Sequence, residues 1–194
     1  MKLCQLLDCI GYEKIVGEVR VEVGGVCSDS RKVHDGDLFI CYAGENVDSH
    51  VYAAEACEKG ACAIVCQRPL DLQVTQVIVK DGRAAMAPLA RAFYGYPDKK
   101  LKIVGVTGTN GKTTTTYMLK AIFDAAGYKT AVVGTLGISY GEKFIAPELT
   151  TPDPIFLYSA FADMAECGVE YVFMEVSAHA LHFGKVDGLR FEAG

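Results

Sequence analysis

The chain has 194 residues, 51% hydrophobic and 22% charged, with a formal net charge of −5. That apolar content excludes a disordered polypeptide, and an acidic balance without basic clusters excludes a nucleic-acid surface. The length fits one domain or two small ones and suffices to bury a sizeable core.

Residues 2–10 place Leu3, Leu6, Leu7 and Ile10 at helical spacing. Val19 to Val23 alternates apolar and charged residues, as a half-buried strand does. A polar stretch, Cys27-Ser28-Asp29-Ser30-Arg31, precedes the turn Asp35-Gly36-Asp37 and the apolar run Leu38 to Cys41. Gly44 to Ser49 is a second loop. His50 to Lys59 reads as a helix with Val51, Ala54 and Cys57 on one face and Gly60 at its stop. Residues 61–66 and 76–80 read as buried strands, and 83–94 as a helix that Pro88 either opens or kinks. The polar, Pro-bearing Tyr96 to Lys100 separates two αβ-patterned halves and places a domain boundary there, giving 1–97 and 98–194. In the second half, helices are predicted over 113–126 (apolar Met118, Leu119, Ile122 and Phe123) and 155–167. Strands are predicted over 130–133 and 169–176, with a short hairpin over 138–146. Strands alternating with helices imply an α/β fold built on mostly parallel sheets. Phe191 to Gly194 looks like an interrupted element, so the chain reads as the N-terminal piece of a longer protein.

The eight cysteines include no C-x-x-C pair, and the N-terminus lacks the apolar length of a signal peptide. No run approaches the roughly 18 apolar residues of a membrane span. Free thiols in a cytoplasmic, reducing compartment are expected, with no membrane partner.

The chemistry concentrates in Leu101 to Thr116, LKIVGVTGTNGKTTTT. A strand, a Gly-rich loop, Lys-Thr and a helix make the layout of a phosphate-binding loop. The strict spacing fails, because Val106 stands where the first glycine belongs. Backbone N–H groups of Gly108, Thr109, Asn110, Gly111, Lys112 and Thr113 can face phosphate oxygens at the helix N-terminus. Lys112 can reach terminal phosphates, and the Thr113 hydroxyl suits Mg²⁺. Glu175 ends an apolar strand and is the matching second Mg²⁺ ligand; the bland alternative is a solvated strand-end acid. Thr150 and Thr151 can bind an anionic substrate group, the alternative being that Thr151 or Asp153 simply caps the next helix. Ser28, Ser30 and Arg31 either hold a second anion or form an Asp/Ser turn. Ser177, His179 and Lys185 follow Glu175 and line the same mouth. A Ser-His-Glu triad is formally present but lacks a nucleophile elbow, and His179 reads better as structural.

Taken together, GVTGTNGKTTTT (105–116), TLG (135–137), TTPD (150–153) and MEVSAHAL (174–181) resemble the Mur ligases of peptidoglycan synthesis, the MurE type most. Residues 27–41 and 44–65 resemble that type's N-terminal uridine-nucleotide domain. The resemblance implies ATP-dependent amide formation. A third residue, a diamino acid, is added to UDP-N-acetylmuramoyl-L-alanyl-D-glutamate through an acyl phosphate, with ATP and Mg²⁺ required and a cytoplasmic monomer doing the work. It implies catalytic roles for Lys112 and Glu175, ATP binding at 108–114, and Mg²⁺ at Thr113 and Glu175. Substrate contacts fall on Ser28, Ser30, Arg31, Thr150, Thr151, Ser177 and Lys185, with Glu45-Asn46-Val47 in a variable contact loop. The chain departs from the pattern at Ser177-Ala178-His179, where Ser-Ser-His is common, and at Lys185, where Arg is common. Lys gives a point charge in place of a bidentate fork. A MurF-type ligase, a stand-alone uridine-nucleotide-binding module and a simple nucleotide kinase are the competing readings.

Overall fold

A computed structural model of the chain describes residues 1–44, 47–146 and 149–194. It divides into two compact units, Met1–Phe93 and Tyr94–Gly194.

The first unit holds five strands, β1 (Lys14–Val16), β2 (Gly25–Cys27), β3 (Asp37–Ile40), β4 (Ala63–Cys66) and β5 (Thr75–Ile78). They lie in the order β1-β5-β4-β3-β2, parallel except for β1 at the edge. Every residue of β3, β4 and β5 is buried, so apolar residues run on without alternation over Leu38–Ile40 and Ala63–Cys66: a parallel strand covered on both faces has no polar side, and the buried Gln76 of β5 spends its amide on the Leu70 and Leu72 carbonyls. The helices are α1 (Leu3–Leu7), α2 (Ala53–Glu58) and α3 (Gly82–Phe93). Ala53 and Ala56 of α2 pack on Phe39, Cys41, Ile64 and Cys66.

Three expectations change here. Residues 19–23 form no strand. Val21 and Val23 bond the backbone of Leu3 and Met1, but α1 then turns the partner chain away, leaving one isolated bridge at Glu22. The strand lies instead at Lys14–Val16, pairing β5. The helix expected from His50 starts as a 3₁₀ turn over Ser49–Tyr52, and the register change turns Val51 and Ala54 outward while His50, Ala53 and Ala56 go in. Pro88 sits in the interior of α3, where it removes one intrahelical bond, and the helix continues through it.

The second unit is a six-stranded sheet in the order β11-β6-β10-β7-β8-β9. Its strands are β6 (Lys102–Val106), β7 (Thr130–Gly134), β8 (Gly137–Tyr140), β9 (Lys143–Ile145), β10 (Tyr171–Glu175) and β11 (Phe191–Ala193). The first four in that order are parallel, and β8 and β9 continue the sheet as the expected antiparallel hairpin. Phe191–Ala193, read from sequence as an unfinished element, is an edge strand on β6. Its Phe191 ring occupies the space that a Cβ at Gly105 would fill.

The helices of this unit are α4 (Lys112–Ala125), α5 (Pro154–Glu166) and α6 (Ala178–His182). Helix α4 lies on β10 and β7, with Phe123 packed among Tyr128, Tyr171 and Phe173. Thr116 is its fully buried residue, whereas Met118 and Ile122 are each 60% exposed, so half of the apolar face expected for this helix points outward. The stretch read as the domain boundary, 96–100, is folded into the second unit. Tyr96 takes a left-handed conformation and starts a 3₁₀ turn, Pro97–Lys100, that packs on α5 with Pro97 and Asp98 buried.

Candidate functional site

Strands β6, β10 and β7 are neighbours, so their carboxyl ends open on one edge of the second sheet. That edge is where open α/β sheets gather ligands. Beyond β6 the chain passes through residues 107–111 and enters α4, with Gly111 at the N-cap. Gly108 (φ +139°) and Gly111 (φ +83°) adopt left-handed conformations that a side chain would strain. Nothing lies within 4 Å of where a Cβ on Gly111 would be. The loop is therefore open on that side, at the positive end of a 14-residue helix. The Lys112 ammonium curls back and donates to the Gly108 carbonyl at 2.7 Å, so the lysine lies along the loop it is expected to serve.

Glu175 ends β10 directly beside Val106, the last residue before that loop. It is fully buried, so it is not the solvated strand-end acid of the bland alternative. Its Oε1 accepts from the Thr135 backbone N–H at 2.9 Å and its Oε2 from the Thr135 hydroxyl at 2.9 Å. Among the described residues no cation forms an ion pair with it. A buried carboxylate with spare acceptor capacity and no cationic partner is the donor chemistry a hard divalent ion requires.

Thr150 and Thr151 divide their tasks. The Thr150 hydroxyl meets that of Thr135 at 3.1 Å, at the exposed side of the site. Thr151 is only 2% exposed. Its hydroxyl lies 3.0 Å from the Glu175 carbonyl and accepts from the Ser177 N–H at 3.1 Å, so it braces the end of β10 instead of facing a ligand. Ser177 caps α6 by accepting from the Ala180 N–H at 3.1 Å. Lys185 is buried and closed on Asp153 at 2.7 Å. Asp153 stands at the N-cap position of α5 but makes no side-chain cap bond, because its carboxylate is turned to that lysine. His179 is exposed with its ring 4.4 Å from Phe183.

In the first unit the polar stretch after β2 is held by its own side chains. Asp29 accepts both from the Arg31 backbone and from its guanidinium, at 2.9 and 2.7 Å. That guanidinium lowers the Asp29 carboxyl to about 2. Ser30 is buried, donating to Glu55 at 2.9 Å while its carbonyl accepts from Lys59 at 2.8 Å. Ser28 is half-buried. Of the variable loop, Glu45 and Asn46 lie outside the described residues, and Val47 is exposed.

Sequence reasoning missed the support of that loop. The buried His50 sets Nδ1 at 2.5 Å from Asp48, and its Nε2 accepts from the Gln67 N–H at 2.9 Å. Arg68 holds the other Asp48 oxygen at 2.8 Å, and its guanidinium with His50 depresses the Asp48 carboxyl strongly. The Asp48-Ser49-His50 spacing was readable, but its partners at 67 and 68 were not. Thr135 was likewise visible only as part of a motif.

Fold and loop together define an α/β protein with a strand–loop–helix of the phosphate-binding kind. The Mur ligase middle domain matches residues 106–194, and the catalytic domain of the Mur ligase family matches residues 22–94. The chain belongs to the Mur ligase family. It is similar to the UDP-N-acetylmuramoyl-L-alanyl-D-glutamate--2,6-diaminopimelate ligase of Bacillus cereus, 43% identical over 99% of this chain and 39% of that protein. The protein of the same name from Geobacillus kaustophilus is 49% identical over 84% of this chain and 34% of its own. A solved structure of a ligase of that name superposes with a TM-score of 0.82 at 26% identity, over all of this chain and 40% of the other. The Acinetobacter baumannii ligase that carries D-alanyl-D-alanyl in its name scores 0.63 at 25% identity. The chain thus spans 34–40% of the length of these relatives.

Proposed function

We propose that this chain is the N-terminal part of an ATP-dependent ligase that adds a diamino acid to UDP-N-acetylmuramoyl-L-alanyl-D-glutamate through an acyl phosphate. The unit Met1–Phe93 is the domain for the uridine-nucleotide substrate and Tyr94–Gly194 the first part of the ATP-binding domain, a boundary four residues before the 97/98 expected from sequence because the 97–100 turn packs on α5. The observation that carries the reading is the buried Glu175 set beside Val106, at the root of the Gly108–Thr114 loop. Relatives at 43–49% identity named for diaminopimelate addition support it over the D-alanyl-D-alanyl ligase.

Thr113 and Glu175 would hold Mg²⁺, which when bound neutralises phosphate charge at the transferring group. The backbone N–H groups of the loop and the α4 dipole hold the phosphates, and Lys112 leaves the Gly108 carbonyl to reach the terminal one. Neutralising that charge is what lets a substrate carboxylate approach a phosphoryl group. Ser28, Ser30 and Arg31 bind the substrate's uridine-nucleotide end, and Thr150, Ser177 and Lys185 its sugar-peptide end. Thr151 acts from behind by bracing Glu175 and Ser177. For Ser30, Arg31 and Lys185 to serve, the substrate must displace Glu55, Asp29 and Asp153 as their partners.

The test is ADP release by the full-length protein with UDP-N-acetylmuramoyl-dipeptide and meso-diaminopimelate, then L-lysine, as acceptors. ADP release independent of the UDP-dipeptide would refute the ligase reading and favour a binding module or a kinase.

A further inference from the structure

We infer that Thr135 is a positioning residue for the Glu175 carboxylate, and that its hydroxyl sets how tightly the site takes a divalent cation. The inference rests on the metal role proposed for Glu175. A carboxylate in the interior must be held by donors or by a cation. Here both carboxylate oxygens receive their hydrogen bonds from one residue, Thr135, at the end of the neighbouring strand β7. The preceding residue is Gly134, and a Cβ there would stand 2.1 Å from Glu175 Oε1. The carboxylate therefore occupies the space beside Gly134 that a side chain there would fill, and is held by the next residue. Its own backbone is fixed as well, since Val176 N–H donates to Val106 and the Glu175 carbonyl is braced by Thr151.

Two of the carboxylate's roughly four acceptor positions are occupied, and the rest stay available for a cation. Holding a ligand's orientation before the ion arrives removes a reorganisation cost from binding, which is how outer-shell partners tune metal sites. The Thr135 hydroxyl has one proton. It donates that proton to Glu175 and accepts from Thr150 at 3.1 Å, so Thr135 also links the metal ligand to the half-buried Thr150.

Thr135→Val keeps the β-branched shape and the backbone N–H but deletes the hydroxyl. Mn²⁺ binding to the full-length protein, with a non-hydrolysable ATP analogue present, is followed by the electron paramagnetic resonance of free Mn²⁺. T135V should weaken Mn²⁺ by about 10-fold or more, the usual cost of losing an outer-shell partner. T135S should restore wild-type affinity, and T130V, which makes the same deletion at the far end of β7 where the hydroxyl serves Asp124, should bind as wild type. Where T135V does not fold, T135A makes the same deletion. Wild-type affinity in T135V or T135A overturns the inference, as does an equal loss in T130V. If Glu175→Gln leaves Mn²⁺ affinity unchanged, the metal role itself fails and the inference falls with it.

Discussion

Gly134→Ala is the sharpest test of how the site is packed. Gly134 ends β7 and has no left-handed φ, so alanine suits its backbone. In an open position the change would stabilise by about 0.4–1 kcal/mol through the unfolded state. The new Cβ, however, would meet Glu175 at 2.1 Å (Oε1), 2.6 Å (Cδ) and 2.8 Å (Cγ). Ordinary contact starts near about 3.5 Å, so the carboxylate must move by more than about 1 Å. Such a shift breaks the 2.9 Å bond from the Thr135 N–H. Overpacking of this kind costs about 1–3 kcal/mol, and each hydrogen bond lost by a buried charge about 1.5–3 kcal/mol. Relaxation recovers part of this, leaving a net loss of about 3 kcal/mol and a fall in melting temperature on the order of 10 °C. The assay is a double-mutant cycle with Glu175→Ala, read by urea unfolding. In the E175A background the clash has no partner, so G134A should be neutral or mildly stabilising. Equal destabilisation by G134A in both backgrounds would refute the packing argument.

Three further outcomes follow from other parts of the molecule. Lys112→Met should lower ADP release by the full-length protein by about 10²–10³-fold, the cost of deleting one positioned charge-stabilising donor, without changing the melting temperature, because its bond to Gly108 is exposed. Retained turnover would remove Lys112 from the reaction. His50→Ala deletes the contact to Asp48 and strands the Gln67 N–H, which should cost about 2–3 kcal/mol in urea unfolding; a loss below about 0.5 kcal/mol would contradict the bracing role. Burial pushes the Cys41 thiol up to about 12 and the Cys66 thiol up to about 11. Their contribution to stability is full below the unfolded thiol value near about 8.5 and is lost as pH rises through the folded values, because the unfolded chain ionises first. Unfolding free energy should therefore fall from pH 8 to pH 10, less steeply in a C41A/C66A variant; identical slopes would refute this assignment.

How much of this was legible depends on distance along the chain. The 113–126 and 155–167 helices were readable because their periodicity and terminal glycines lie within one short window, as do the turn and strands of the 138–146 hairpin. The three-residue strands Lys14–Val16 and Gly25–Cys27 were not, since three residues show no period and exist only because β5 and β3 accept them. Met118 and Ile122 misled because apolar spacing reports a helix face but not what lies against it.

The candidate site divides along the same line. The loop at 108–114 is local, and its glycines and lysine announced it. Glu175 could be suspected from the apolar run before it. What makes that acid more than a strand end is register: β10 sets it beside Val106, and β7 brings Thr135 to it across 40 residues of sequence. Gly134 looked like any glycine closing a strand, yet its missing Cβ is what gives the carboxylate room. Thr151 shows the converse. Its residue type and loop pointed to ligand binding, but Thr151 is 2% exposed and its hydroxyl, engaged with residues 175 and 177, is committed to the protein. Residue type thus names the groups able to do chemistry, and cross-strand register decides which of them face a ligand and which hold the others in place.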